Sequence, residues 1–188
     1  MDIMEIMKGN RTYRRFLQEP IPEEAIGDMM EAARIANCGM NGQVLRYTVV
    51  TNPSVVAEIN SKIKLGGAVP ELKLPREGET PMAFIVITVE GEVNQIRDLD
   101  LGIAAHAITT VAYSHGVGSC IMWGFPRKDI KEMLNLDNDP QLMLALGKPA
   151  HKSTIVEPKD GALKYYADEN LDFYVPKKPL DEIAEFIK

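Results

Sequence analysis

The segment Val93–His115 constrains the fold of this chain more than any other. Its first turns are polar (Asn94, Arg97, Asp98, Asp100), but small and apolar residues follow, with Gly102, Ala104, Ala105, Ala107 and Ala112 spread around the helical circumference. A helix that is apolar most of the way round must be covered on most sides, and small side chains let neighbouring backbones come close. It belongs at the centre of a domain or of an obligate dimer. It does not read as a membrane span. The apolar run Leu101–Ala112 is interrupted by His106, Thr109 and Thr110, and Met82–Val89 is shorter, whereas a span needs ~20 predominantly apolar residues.

The rest of the chain supplies partners for that helix. Asp2–Lys8 has helical spacing, with Gly9 placed for a left-handed C-cap. After Pro20-Ile21-Pro22, the acidic pair Glu23-Glu24 opens a helix with a stripe of Ile26, Met29, Met30 and Ala33, ending near Ile35–Asn37 before the small-residue loop Cys38–Gly42. Arg46–Thr51 has strand formers, and Asn52 or Ser54 can cap a helix running to about Lys64. Leu65–Pro81 is rich in glycine and proline without periodicity, which predicts a long loop with at most a short helix and the role of a lid. Ala83–Glu90 is a strand buried on both faces, because Phe84–Ile87 is continuously apolar. Gly116 ends the long helix. Ser119–Trp123 and Leu142–Leu146 predict strands, Arg127–Leu134 a helix, Phe173–Val175 a strand or hairpin, and Pro179 the start of a final helix. Four or five strands beside five or six helices predict one three-layer α+β or α/β domain over residues 1–188, with a single central sheet.

Composition narrows the chemistry. A chain of 188 residues, 45% hydrophobic, buries about 70% of its unfolded surface and needs no disulfide or metal to fold. Cys38 and Cys120 are far apart, Met is the first residue and no charged-then-apolar leader follows, which together suit a reducing cytoplasm. A net charge of -6 argues against nucleic acid or an anionic membrane surface as partner. No metal site is expected: His106 and His115 fall on opposite faces of a helix, and His151 stands alone, so each reads as a core or surface histidine. There is no Gly-x-Ser-x-Gly elbow for a hydrolase. Gly116-Val117-Gly118 lacks the third glycine of a dinucleotide fingerprint and leads into a strand, and Gly147-Lys148 lacks a phosphate loop. What remains is a cationic cluster in an acidic chain: Arg11, Arg14 and Arg15, with Lys177-Lys178 near the other end. These are either solvated surface charges or an anion site, since guanidinium forks match phosphate oxygens. Thr12 would add a hydroxyl, and in an extended segment Asn10, Thr12 and Arg14 share one side.

Several pieces in order then resemble the nitroreductase family of flavin enzymes. Arg11-Thr12-Tyr13-Arg14-Arg15-Phe16 is similar to the family's Arg-Ser-x-Arg-x-Phe segment. Glu31-Ala32-Ala33-Arg34 leads to Asn41-Gly42-Gln43 and the strand Arg46–Val50, resembling the Asn-x-Gln-Pro-Trp-x-Phe stretch. Asp100-Leu101-Gly102, Gly116–Ser119, Trp123-Gly124-Phe125, Leu146–Ala150 and Val175–Leu180 complete the set. The pattern departs from the family at Val44-Leu45, which replaces Pro-Trp, at Asn10, where relatives often carry a basic residue, and at Trp123, a position often acidic. Lys73 and Arg76 are the only candidates for polar flavin contacts ahead of the second strand.

The resemblance implies an α+β fold with a mostly antiparallel central sheet flanked by helices. The long helix would lie at the interface of a homodimer that holds FMN between its subunits. It implies that Arg11 and Thr12, with Lys177 or Lys178, hold the phosphate, and that Arg14 lies where the flavin gathers charge on reduction. Cys38, Gly39 and Asn41 would come from the partner subunit, Gln43 would contact the ribityl or pyrimidine end, and Trp123-Gly124 would face flavin N5. The implied activity is ping-pong electron transfer from NAD(P)H to an electron-poor acceptor such as a nitro compound or quinone. A flavin-binding protein without turnover, redox-responsive, is one alternative. A family variant that cleaves flavin or removes halogen from aromatics is another.

Overall fold

The structure, a computed structural model, describes residues 2–187. It is an α+β arrangement in which an antiparallel sheet carries helices on both faces. Helix α1 (Ile3–Gly9) leads through strand β1 (Phe16–Leu17) to α2 (Glu23–Ile35), then β2 (Leu45–Val50), α3 (Pro53–Lys62) and β3 (Ala83–Val89). The long helix α4 (Gln95–Ser114) follows, then β4 (Gly118–Met122), α5 (Arg127–Leu134) and β5 (Pro140–Pro149). A small second sheet at the C-terminal end holds β6 (Ser153–Val156), β7 (Tyr166–Ala167) and β8 (Phe173–Pro176).

Strand β5 is the spine of the main sheet. It pairs antiparallel with β3, β4 and β1, and β3 in turn pairs with β2. Every residue of β3 is buried, as its unbroken apolar run requires. Alternation along the strands then sorts side chains into two layers. Phe84, Val86, Met143 and Ala145 meet Val56 and Ile59 of α3, Ile130 of α5 and Phe16. Ile85, Ile87, Leu144 and Leu146 meet Ala25 and Met29 of α2 and Leu101, Ala105, Ile108 and Ala112 of α4.

Helix α4 is well framed at its ends. The Asn94 side chain accepts from Ile96 and Arg97 N–H at 3.1 and 3.2 Å, and Gly116 takes φ +72 just past the end. Its coverage is one-sided, however. Leu101, Ala104, Ala105, Ile108 and Ala112 are buried, whereas Leu99 is 67% exposed, and Ile96 and Ile103 are exposed as well. The small-residue character does not by itself enclose the helix within the chain.

Three local expectations are corrected. Gly9 is not a left-handed cap: it closes α1, with Asn10 as C-cap, and its missing side chain makes room for the Tyr113 ring. The final helix from Pro179 reduces to a single 3-10 turn, Leu180–Glu182. Its apolar residues Leu180, Ile183 and Phe186 are exposed, and a short helix with no surface to bury against is marginal in water. Eight strands in two sheets also replace the four or five expected in one, because β1 and β7 are two residues each and β6 is four residues, half of them polar, so none carries a periodicity.

Gly118 shows how tightly β4 is seated: a Cβ there would stand 2.8 Å from both Pro149 and the Tyr13 ring. Gly118→Ala is therefore expected to destabilise the protein by about 1–3 kcal/mol through overpacking. That should appear as a melting-point drop of several degrees in thermal unfolding, of order ~2–4 °C per kcal/mol for this size.

Candidate functional site

The residues after α1 run extended beside β4. Tyr13 N–H donates to the Ser119 carbonyl at 2.8 Å, and Thr12 forms an isolated parallel bridge with Ser119. Alternation sends Tyr13 into the core, while Asn10, Thr12 and Arg14 line a cavity of about 280 Å³. Arg11 and Lys177 join them there, with His106 and Thr109 of α4, Ser119 and Ile121 of β4, and Tyr165. Residues from both ends of the chain thus meet at one place. Asn10 fastens the segment to α4 by donating to the Thr109 and Thr110 hydroxyls at 3.2 and 3.3 Å.

The cavity's chemistry is cationic. Arg11, Arg14 and Lys177 line it and no carboxylate does. Among the described residues none of these three forms an ion pair. Arg11 donates to the Met7 carbonyl at 2.7 Å, but its Nε is buried without a partner, a donor that an anion would satisfy. Arg15, the third arginine of the cluster, is already committed: it grips Glu79 bidentately at 2.6 and 2.7 Å. Lys178 turns to Glu182 at 3.3 Å, so of the two C-terminal lysines it is Lys177 that lines the cavity.

Arg14 is the most constrained of the cations, with only 7% of its surface exposed. Its guanidinium lies 4.1 Å from the Tyr165 ring centroid and 5.0 Å from that of Phe173, and donates to the Thr12 carbonyl. Its backbone N–H donates to His151 Nε2 at 3.0 Å. Because Nε2 accepts, the ring proton sits on Nδ1, which donates to the Lys152 carbonyl at 2.8 Å. The imidazole is buried between Tyr13 and Phe173, and burial pushes its pKa below the ordinary 6.5, despite the Lys152 carbonyl favouring the charged form; Arg15 and Arg14 push the same way as burial. His151 is therefore a core histidine, one of the two readings its sequence leaves open, and it positions Arg14. No sequence signal marked that pairing across 137 residues.

The loop expected from the partner subunit lies elsewhere. Cys38 and Gln43 line a separate cavity of about 390 Å³ with Tyr47, Asp100 and Ala104. Gly39 N–H donates to Asp100 at 2.7 Å, Asp100 is buried and paired with Arg97 at 3.0 Å, and a side chain on Gly39 would collide with Ile96. Met40, Asn41 and Gln43 all hold left-handed φ near +50, and Asn41 and Gln43 are exposed. Trp123 and Gly124 follow β4 directly and are exposed. Lys73 and Arg76 line a third cavity, about 640 Å³, with Lys64. Burial raises the Cys120 thiol to about 11, which keeps it inert.

The lowered His151 pKa fixes a sign. The unfolded state binds a proton below about pH 6.5 that the folded state resists, so stability is complete above that value and falls as the pH drops through it. Urea unfolding of wild type between pH 8 and 5 should show that loss. His151→Gln, whose amide can accept from Arg14 N–H, should be less stable at pH 8 but lose less on acidification.

Comparison with known proteins completes the description. The family model for the nitroreductase family matches residues 7–148. A Methanothermobacter thermautotrophicus protein provisionally named NADH dehydrogenase/NAD(P)H nitroreductase is 24% identical over 159 residues, covering 80% of this chain and 78% of its own. A crystal structure of a nitroreductase family protein from Clostridium difficile 630 superposes with a TM-score of 0.68 at 19% identity, covering 100% of this chain and 99% of that one. An FMN-dependent nitroreductase from Clostridium difficile R20291 has the same fold, with a TM-score of 0.66 at 19% identity over 80% of this chain and 90% of that one. With three-quarters of its length matched by the family model, this chain belongs to the nitroreductase family.

Proposed function

We propose that this protein is an FMN-dependent oxidoreductase that passes electrons from NAD(P)H to an electron-poor acceptor, a nitro compound, quinone or similar molecule. The observation that carries the reading is the carboxylate-free cavity lined by Arg11, Arg14 and Lys177, with the buried, unpartnered Nε of Arg11. That donor set fits a phosphate-terminated cofactor. Family membership and a solved relative described as FMN-dependent support the same cofactor.

Within this reading Arg11, Thr12 and Lys177 hold the phosphate, whose charge near -2 they offset. Arg14 supplies a fixed cation for charge that develops during reduction, and its stack on Tyr165 and Phe173 keeps it oriented. When bound, FMN supplies hydride acceptance and donation at N5, in two successive half-reactions that share one site. The chain therefore needs no side-chain nucleophile.

A cavity of about 280 Å³ is at the small end for a ligand pocket, and a second copy of the chain is proposed to complete it. The residues of the Arg11 cavity and of the Cys38 cavity lie on roughly opposite sides of α4, His106 and Thr109 against Asp100 and Ala104. One protomer cannot bring the two sets together around one flavin. A twofold partner packed on the exposed Ile96, Leu99 and Ile103 face could present its own Cys38, Gly39, Asn41 and Gln43 to this cavity.

The purified protein should be yellow, or become so with added FMN, and bleach on addition of NAD(P)H without oxygen; a colourless protein that takes up no FMN would refute the reading. Removing a charged phosphate contact costs about 10- to 100-fold in affinity, so Arg11→Ala and Lys177→Ala should raise the FMN dissociation constant by about that factor. Lys178→Ala should leave it within about twofold, because that lysine is turned toward Glu182.

A further inference from the structure

The sole tryptophan of the chain is exposed to 63%, yet it is not loose. Arg127, the first residue of α5, lays its guanidinium 4.3 Å from the centroid of the Trp123 ring. The same guanidinium donates from one nitrogen to the carbonyls of Trp123 and Gln141, both at 3.2 Å, and lies 5.5 Å from the Phe125 ring. Among the described residues Arg127 has no carboxylate partner. Its hydrogen bonds therefore go to the backbone that carries the indole and to the neighbouring strand, while the guanidinium sits over one side of the ring. A cation held this way tethers an aromatic side chain that the core does not bury. Trp123 also continues the side of β4 that faces the cavity: Cys120 and Met122 turn into the core, whereas Ser119 and Ile121 line the cavity, and Trp123 is the next residue of that parity.

We propose that Arg127 is a positioning residue that fixes the Trp123 indole as a rigid wall beside the flavin site. One face of the indole is spent on the guanidinium, and the other is left to stack on a planar acceptor. Acceptor choice by ring size is thereby set by Trp123 and held by Arg127. This rests on the proposed oxidoreductase function, and it adds a specificity element that sequence reading missed, because Arg127 belongs to no motif and meets Trp123 only through the turn before α5.

The single tryptophan makes the clamp directly observable. In Arg127→Ala, fluorescence anisotropy of Trp123 should fall and quenching by iodide or acrylamide should change, in the FMN-free and the FMN-loaded protein alike. Arg127→Lys, which keeps the charge but loses the planar face, should behave like Arg127→Ala. With FMN bound, KM for a two-ring quinone should rise about fivefold in both variants, the size expected for a lost stacking contact, while FMN affinity and the rate of reduction by NAD(P)H stay within about twofold. Trp123→Phe should retain part of the preference for two rings over one, and Trp123→Ala none. If wild type binds FMN and is reduced, but Arg127→Ala keeps both its anisotropy and its quinone KM, the proposal is overturned and the oxidoreductase reading stands. If wild type takes up no FMN, both are overturned.

Discussion

Helix α4 is satisfied on one side only, and most of the architecture follows from that. Leu101, Ala105, Ile108 and Ala112 complete the layer between the sheet and α2, and Asp100 and Thr109 anchor the two segments that carry candidate ligands. The opposite side leaves Ile96, Leu99 and Ile103 in contact with water. A contiguous exposed apolar strip on the helix that also lines both cavities is the signature of a surface made for a partner. The exposed Leu180, Ile183 and Phe186 after the last strand present the same problem at the C-terminal end. In the proposed function, a site built on both sides of such a helix would take two copies to close around one cofactor.

The cationic cavity is where this acidic protein would hold the phosphate of the proposed cofactor. The net charge is -6, yet no carboxylate lines this cavity. Arg15 absorbs Glu79, and Lys178 absorbs Glu182. Arg14 is kept at 7% exposure without a carboxylate by two aromatic faces and a carbonyl. Burying an unpaired guanidinium is costly, so the arrangement makes sense as preparation for a negative ligand. His151 adds rigidity by receiving the backbone N–H of Arg14, which ties the N-terminal segment to the turn after β5.

Much of this was legible in the residues. The uninterrupted apolar run of β3 declared a strand covered on both faces, and Glu23-Glu24 with the Met29 and Ala33 stripe declared α2. Alternation alone puts Asn10, Thr12 and Arg14 on one side of an extended segment, and the cavity has them together. What escaped were features with no local signature. The His151 contact to Arg14 and the Tyr165 stack join residues more than a hundred positions apart, and nothing in either neighbourhood announces the other. The one-sided burial of α4 escaped for a related reason: alanine and glycine fit a buried face and a close-packed interface equally well. The tail after Pro179 carries a helical pattern, but a pattern without a surface to bury does not hold a helix.

In the proposed function, two copies of this chain, joined through the open face of α4, build each FMN site. Sedimentation equilibrium of wild type and Leu99→Glu, combined with FMN titration of both, tests it most directly. The account predicts a wild-type dimer of 20.9 kDa chains with one FMN per chain, and a monomeric Leu99→Glu that stays folded but loses high-affinity FMN binding. A monomeric variant that binds FMN as tightly as wild type would contradict it.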